Sequence, residues 1–187
     1  MVIKVFFCSS PKGSVTRTYM SLLCEHRWLE EPGVELIKLT PGDCDVSRVK
    51  FQRERRIVAN REGGDHYVVA DDDCLLPSGQ TLEIAKEILE QHPRFAVISY
   101  SLSNHSLGSW TSVPKEYGLY EDYDVVEHAA AGGIRVCRNV DFAWPPMRPH
   151  GRYDGIHAEA LRKEGYRTGY FKHLYCNHIG EGYGSIV

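Results

Sequence analysis

The sequence contains no long apolar segment, no paired cysteine motif and no strong excess of charge. Its first apolar run, residues 2–8, is too short for a signal peptide and falls well below the roughly 20 residues that a membrane-spanning helix needs. We therefore expect no membrane span and a cytoplasmic location. The six cysteines are scattered with no CxxC pair, which argues against a zinc ribbon and fits reduced thiols. A net charge of −3 is unlike the basic balance of a protein that wraps duplex nucleic acid.

What remains is the composition of an ordinary globular protein. The chain has 187 residues, of which 42% are hydrophobic and 25% charged, with no repeat, low-complexity tract or linker. Single hydrophobic cores stop growing only beyond about 250 residues, so a chain of this length fits within one core. We predict a single domain over residues 1–187.

Apolar patterns of two kinds alternate along the chain. Short β-rich runs predict strands at residues 2–8, 34–39, 67–70, 95–100, 134–137 and 168–175. Helical spacing predicts helices at residues 16–29, 47–60, 81–91 and 154–164, the last ended by Gly165. Residues 101–127 are predicted to be loops with one edge strand. This alternation indicates an α/β fold with a mostly parallel sheet flanked by helices, in which ligands bind at the carboxyl ends of the strands.

Three consecutive carboxylates, Asp71, Asp72 and Asp73, directly follow the third predicted strand. They repel one another, and a hard divalent cation is a natural partner for their oxygens. Side chains two residues apart in an extended segment point the same way, so Asp71 and Asp73 share a target while Asp72 faces away. The run predicts a Mn²⁺ or Mg²⁺ site. The alternative is a solvated acidic turn.

His178 follows the last predicted strand, at another strand end. A neutral imidazole there is a candidate third metal ligand. A purely structural histidine is the alternative. The glycines that follow, Gly180, Gly182 and Gly184, allow close backbone approach to a diphosphate and movement as a lid.

Three segments in this order resemble the GT-A-fold glycosyltransferases, and most closely family 2. Residues 67–77 are similar to that family's hydrophobic strand, DxD motif and following proline. Residues 153–167 are similar to its acidic motif, helix and GYR turn, and residues 178–180 match its HxG. The resemblance extends from Val2 to Gly180. It implies a Rossmann-like GT-A domain that moves a sugar from a nucleotide-diphosphate donor to an acceptor hydroxyl.

The resemblance also implies individual roles. Asp71 would contact the ribose or base of the donor, Asp73 would bind the metal that bridges the diphosphate, and His178 would be a further metal or phosphate ligand. Asp154 would be the general base of an inverting reaction. The family's usual Glu-Asp is here Tyr-Asp, which favours Asp154 but leaves Glu159, farther along the same helix, as a rival.

Five further residues are candidate donor contacts. Arg53 and Arg56 lie on the helix before the acidic strand, where guanidinium groups match diphosphate oxygens. A solvated charged helix face is their alternative. Asp43 lies in a turn where family members often meet the base, although a plain turn former explains it equally. Ser9, after the first strand, and Asp72 complete the set.

Two other features have two interpretations each. Gly132 and Gly133 permit close backbone approach to a ligand, or a tight contact within the sheet. Trp144 is suited to stacking on an acceptor sugar or base, or to capping the core.

Two other functions remain open. A nucleotidyltransferase uses a related sheet and acidic metal ligands, but generally needs a glycine-rich basic loop after the first strand. The loop at residues 9–14 has one glycine and one lysine. The other is a non-catalytic nucleotide-sugar-binding protein. The sugar, the nucleotide and the acceptor are not determined by the sequence.

Overall fold

The structure is a computed structural model of the chain. It describes residues 2–8, 15–39, 48–77, 81–102, 119–120, 125–127, 133–146 and 153–178. At some positions within these ranges, including Asp154 and His178, the description covers the backbone only.

The predicted alternation of strands and helices is confirmed. The strands are β1 (Ile3–Cys8), β2 (Val34–Leu39), β3 (His66–Asp71), β4 (Cys74–Leu75), β5 (Phe95–Leu102), β6 (Leu119–Tyr120), β7 (Val125–Glu127), β8 (Ile134–Arg138) and β9 (Arg167–His178). The helices are α1 (Val15–Leu29), α2 (Arg48–Glu62), α3 (Thr81–Gln91) and α4 (Tyr153–Lys163). The structure adds three short strands, β4, β6 and β7, to the six predicted from the sequence. Two of them supply the expected edge strand.

The strands form one mixed sheet in the order β2-β1-β3-β8-β5-β9-β7-β6, and β4 pairs with β9. β1 is parallel to β2 and β3, and β5 is parallel to β9. β8 lies between β3 and β5 and is antiparallel to both. Most strands therefore run in one direction, and the carboxyl ends of β1, β3, β5 and β9 share one edge of the sheet. We call this the carboxyl edge.

Two apolar clusters cover the two faces of the sheet. Side chains alternate between faces along a strand, so Phe7 and Phe6 of β1 enter different clusters. The first cluster joins the sheet to α1 and α3 through residues such as Trp28 and Ile88. The second joins it to α2 and α4 through residues such as Ala59. The fold is an α/β sandwich with helices on both faces.

The cysteines behave as small buried apolar residues. The five that the structure describes, at positions 8, 24, 74, 137 and 176, are buried and free. No helix in the described ranges is long and apolar enough to cross a membrane.

Gly165 ends α4 in the way the sequence predicts. Its φ of 83° is in the left-handed region, which glycine adopts without steric cost. The Gly165 N–H donates to the Arg162 carbonyl at 3.0 Å and the Tyr166 N–H donates to the Leu161 carbonyl at 3.0 Å. These bonds satisfy carbonyls of the last helical turn and direct the chain into β9.

Candidate active site at the carboxyl edge

The acidic run forms a short connection between β3 and β4 at the carboxyl edge. Asp71 is the last residue of β3, and Asp72 and Asp73 form the turn before β4. The Asp71 N–H donates to the Gly133 carbonyl at 2.7 Å. A Cβ on Gly133 would lie 1.8 Å from Cys74 Sγ, so only glycine fits against the turn. The tight sheet contact that we considered for Gly133 is confirmed, and we call residues 71–73 the acidic turn.

The first carboxylate of the acidic turn is held by an arginine of α2. Arg55 Nη1 donates to Asp71 Oδ1 at 2.5 Å. The Arg55 side chain is 3% exposed and that of Asp71 is 24% exposed. Cys8, the last residue of β1, is the register partner of Asp71. Burial raises the pKa of the Cys8 thiol, and the nearby Arg55 guanidinium opposes that rise. Arg55 thus lies at the carboxyl ends of two adjacent parallel strands.

The other two carboxylates differ from each other in burial. Asp72 is only 4% exposed, whereas Asp71 and Asp73 are half-buried. The predicted two-residue alternation requires an extended segment, but Asp72 and Asp73 form a turn, in which Asp72 is buried and Asp73 is half-buried. The alternative of a fully solvated turn is wrong for Asp72. Burial, followed by Asp73 and Asp72, raises the pKa of Cys24 on α1 to about 12. Cys74 Sγ donates to Asp73 Oδ1 at 3.5 Å.

The backbone of His178 lies beside the acidic turn. The sequence-based strand was too short: β9 continues to His178, which is its last residue. In the antiparallel pairing of β4 with β9, His178 is opposite Cys74, and Cys74 directly follows Asp73. Pairing between distant segments thus brings together two of the predicted metal ligands at the level of the backbone.

The described donor atoms suit a hard cation shared with a ligand. Among the side chains that the structure describes, no three from His, Cys, Asp and Glu form a group that could hold a metal, and His178 is outside that set. Mg²⁺ and Mn²⁺ usually bind one or two carboxylates and take their remaining ligands from phosphates and water. The half-buried carboxylate of Asp73 fits that chemistry, and Asp71 beside it is already bonded to Arg55.

The two arginines predicted to contact the donor occupy different environments. Arg53 Nε donates to the Pro145 carbonyl at 3.1 Å, which ties α2 to the segment after β8. Arg56 is 2% exposed and its charge lowers the pKa values of Tyr67 and Cys137, although burial raises both overall. Arg56 therefore lies between α2 and the sheet. Contact of either residue with a diphosphate stays a prediction.

Sequence reasoning missed Arg55, the arginine that meets the acidic turn. One local pattern points to it. Arg55 is four residues before Ala59, and side chains with this spacing lie on the same face of a helix. Ala59 is fully buried against the sheet, so Arg55 is also on the sheet-facing side of α2. Ser9, Asp43 and Gly132 lie outside the described residues.

The first turn of α4 lies at the carboxyl edge. α4 packs against β9 and leads directly into its first residue, so the helix starts near the edge where β9 ends. Asp154 is the second residue of α4. Glu159 pairs with Lys163 at 3.1 Å, and its side chain is 45% exposed. Helix direction therefore places Asp154 at the end of α4 nearest the carboxyl edge, with Glu159 more than one turn farther along the helix.

Trp144 packs against α4. Its ring is parallel to that of His157, with centroids 5.3 Å apart and an interplanar angle of 1°. Phe142 contacts Trp144 with ring centroids 4.5 Å apart. The segment after β8 is therefore held to α2 by Arg53 and to α4 by Trp144. Stacking of Trp144 on an acceptor stays a prediction.

No protein-family model and no curated protein sequence matches this chain. Two solved structures share its fold. The crystal structure of A197 from STIV aligns with a TM-score of 0.54 and 15% identity, over 96% of this chain and 87% of that one. The structure of S. aureus TarS 1-349 aligns with a TM-score of 0.55 and 12% identity, over 95% of this chain and 60% of that one.

The fold is α/β, of the GT-A-like Rossmann type that the sequence predicts. Identities this low establish the fold alone. The present chain also spans only 60% of TarS 1-349. Any evidence for chemistry therefore lies in the residues at the carboxyl edge.

Proposed function

We propose that this protein is a metal-dependent glycosyltransferase that moves a sugar from a nucleotide-diphosphate donor to an acceptor hydroxyl with inversion. The observation that carries the proposal is the position of the acidic turn at the carboxyl end of β3 in a glycosyltransferase-like fold. In open α/β sheets, ligands bind in the crevice at this edge.

Asp73 is the principal carboxylate ligand of a Mn²⁺ or Mg²⁺ ion in this proposal, and His178 completes the protein's share of the coordination. The half-buried state of Asp73 and the backbone pairing of His178 with Cys74 support this assignment. When bound, the ion stabilises the negative charge that develops on the departing diphosphate. Asp71 contacts hydroxyl groups of the donor.

Asp154 is the general base that takes the proton from the acceptor hydroxyl. Its place in the first turn of α4 supports this role, because that turn is at the same edge as the acidic turn. Glu159 is farther along the helix and is paired with Lys163. A single base that activates the acceptor implies direct displacement at the sugar carbon, and hence an inverted product.

A thermal-shift experiment tests the metal-dependent donor site. We expect UDP or a related nucleoside diphosphate to raise the melting temperature with Mn²⁺ and not with EDTA. A ligand that binds only the native state adds about 2.7 kcal/mol of stability at a hundredfold excess over Kd. Asp73→Asn should remove the shift. Asp65→Asn makes the same change in charge at an exposed position before β3 and should keep the shift. An equal shift in EDTA would contradict metal dependence.

The alternative functions predict different products. A nucleotidyltransferase would release pyrophosphate when given a nucleoside triphosphate and its partner substrate. A non-catalytic binding protein would bind the sugar nucleotide without even slow hydrolysis. Chromatography of the nucleotide products separates these outcomes from the release of a nucleoside diphosphate.

A further inference from the structure

The ion pair between Arg55 and Asp71 joins a buried cation to the proposed donor site. The Arg55 side chain is 3% exposed, and its Nη1 is 2.5 Å from Asp71 Oδ1. Because Cys8 and Asp71 are register partners, the Arg55 guanidinium spans the ends of β1 and β3. A charge-assisted bond from a buried side chain orients its acceptor more strictly than an exposed pair does.

Asp71 and Asp73 have neighbours on different faces of the sheet. Asp71 is bonded to Arg55, which belongs to α2. Asp73 accepts a hydrogen bond from Cys74 and raises the pKa of Cys24, which belongs to α1. The two carboxylates are thus only two residues apart in sequence, but their described contacts draw them toward opposite helical layers.

The Arg55 charge also opposes a cation beside Asp71. A carboxylate that already accepts a bond from a guanidinium has less negative potential to offer a metal, and the guanidinium itself repels the metal. The Asp71 side chain is 24% exposed, and a carboxylate can accept several hydrogen bonds, so it suits neutral donors such as sugar hydroxyls.

We propose that Arg55 is a positioning residue that reserves Asp71 for the donor's hydroxyl groups and keeps it out of the coordination of the metal at Asp73. The proposal rests on the proposed function for the identity of the donor. The effect of Arg55 and Asp71 on the Mn²⁺ affinity does not depend on the donor, so it can be measured in the nucleotide-free protein.

The experiment measures two affinities in four proteins. Calorimetry gives the Mn²⁺ affinity of the nucleotide-free protein, and then the UDP affinity at saturating Mn²⁺, for the wild type, Arg55→Gln, Asp71→Asn and the double variant. We expect Arg55→Gln to tighten Mn²⁺ binding by about fivefold, the lower end of typical coupling between two sites, and to weaken UDP binding. Asp71→Asn should leave Mn²⁺ affinity nearly unchanged. The double variant should not bind Mn²⁺ more tightly than the wild type, because the tighter binding requires an Asp71 carboxylate that is no longer paired with Arg55.

A merely structural role for Arg55 predicts the opposite sign. If Arg55→Gln weakens both affinities, or if the double variant keeps the tighter Mn²⁺ binding, the positioning role is wrong.

Arg55→Lys is the second variant, for use if Arg55→Gln does not fold. It keeps the charge but replaces the planar guanidinium with a compact ammonium group, so Mn²⁺ affinity should match the wild type while UDP affinity falls. Equal UDP affinity in Arg55→Lys and the wild type also overturns the proposal. Absence of Mn²⁺ binding by the wild type overturns metal dependence itself, together with this role.

Discussion

Cys74 and His178 lie opposite each other in the antiparallel pairing of β4 with β9. β4 has only two residues and directly follows the acidic turn, so this pairing anchors the turn to the end of the last strand. A change that separates β4 from β9 should therefore disturb the proposed metal site without touching a ligand.

We expect Asp73→Ala and Asp72→Ala to damage different properties. Asp73→Ala should abolish the Mn²⁺-dependent binding of UDP, because it removes the principal metal carboxylate. Asp72 is 4% exposed, so its loss should act on folding, with a cost of about 1–3 kcal/mol from disrupted buried polar contacts. Urea unfolding and calorimetric titration measure the two effects. Loss of metal dependence in Asp72→Ala, with Asp73→Ala still competent, would show that the roles of these two carboxylates are reversed.

Gly133→Ala should destabilise the protein and weaken its Mn²⁺ binding. The new Cβ would meet Cys74 Sγ at 1.8 Å, and overpacking of this kind costs about 1–3 kcal/mol or more. Gly155→Ala is the matched control. Gly155 is an exposed residue of α4 with no atom within 4 Å of an added Cβ, so alanine should stabilise the helix by about 0.5–1 kcal/mol. Equal stability changes in the two variants would argue against the tight contact.

Asp154→Asn should lower kcat while nearly preserving donor and metal affinity. An amide cannot accept the acceptor's proton, and a positioned general base typically contributes about 10²–10⁴-fold to the rate. Loss of a group that acts only in the transition state lowers kcat and kcat/KM together. Glu159→Gln should do much less, because Glu159 is exposed and pairs with Lys163. Steady-state kinetics compare the variants, and NMR of the product should show an inverted anomeric centre. A retained configuration, or a dead Glu159→Gln enzyme, would refute the assignment of Asp154.

Stability should fall at alkaline pH partly because of Cys137. Burial raises the pKa of this thiol from 9.0 to about 11. The folded state then holds the proton more tightly than the unfolded state. The stabilisation is fully present below pH 9 and is lost as the pH rises toward 11, at a cost on the order of 2 kcal/mol. Urea unfolding should show that the free energy of unfolding falls less between pH 8 and pH 10.5 in Cys137→Ala than in the wild type. An identical decrease would mean that this thiol does not contribute.

Much of the fold was predictable because the underlying patterns are local. The apolar run that becomes β5 and the helical spacing that becomes α3 depend on neighbouring residues only, and α3 has the predicted bounds of Thr81–Gln91. The left-handed conformation of Gly165 is likewise a property of one residue in its own turn. The position of Asp71 at a strand end follows from the same local patterns.

The partners of these elements required the tertiary structure. The antiparallel insertion of β8 between β3 and β5, and the pairing of His178 with Cys74, join segments far apart in the chain, and strand order is not encoded in the periodicity of either strand. The sequence by itself determined that carboxylates stand at the end of a buried strand. Only the tertiary structure decided that Arg55 meets Asp71, because this ion pair depends on the packing of α2 against the end of β3.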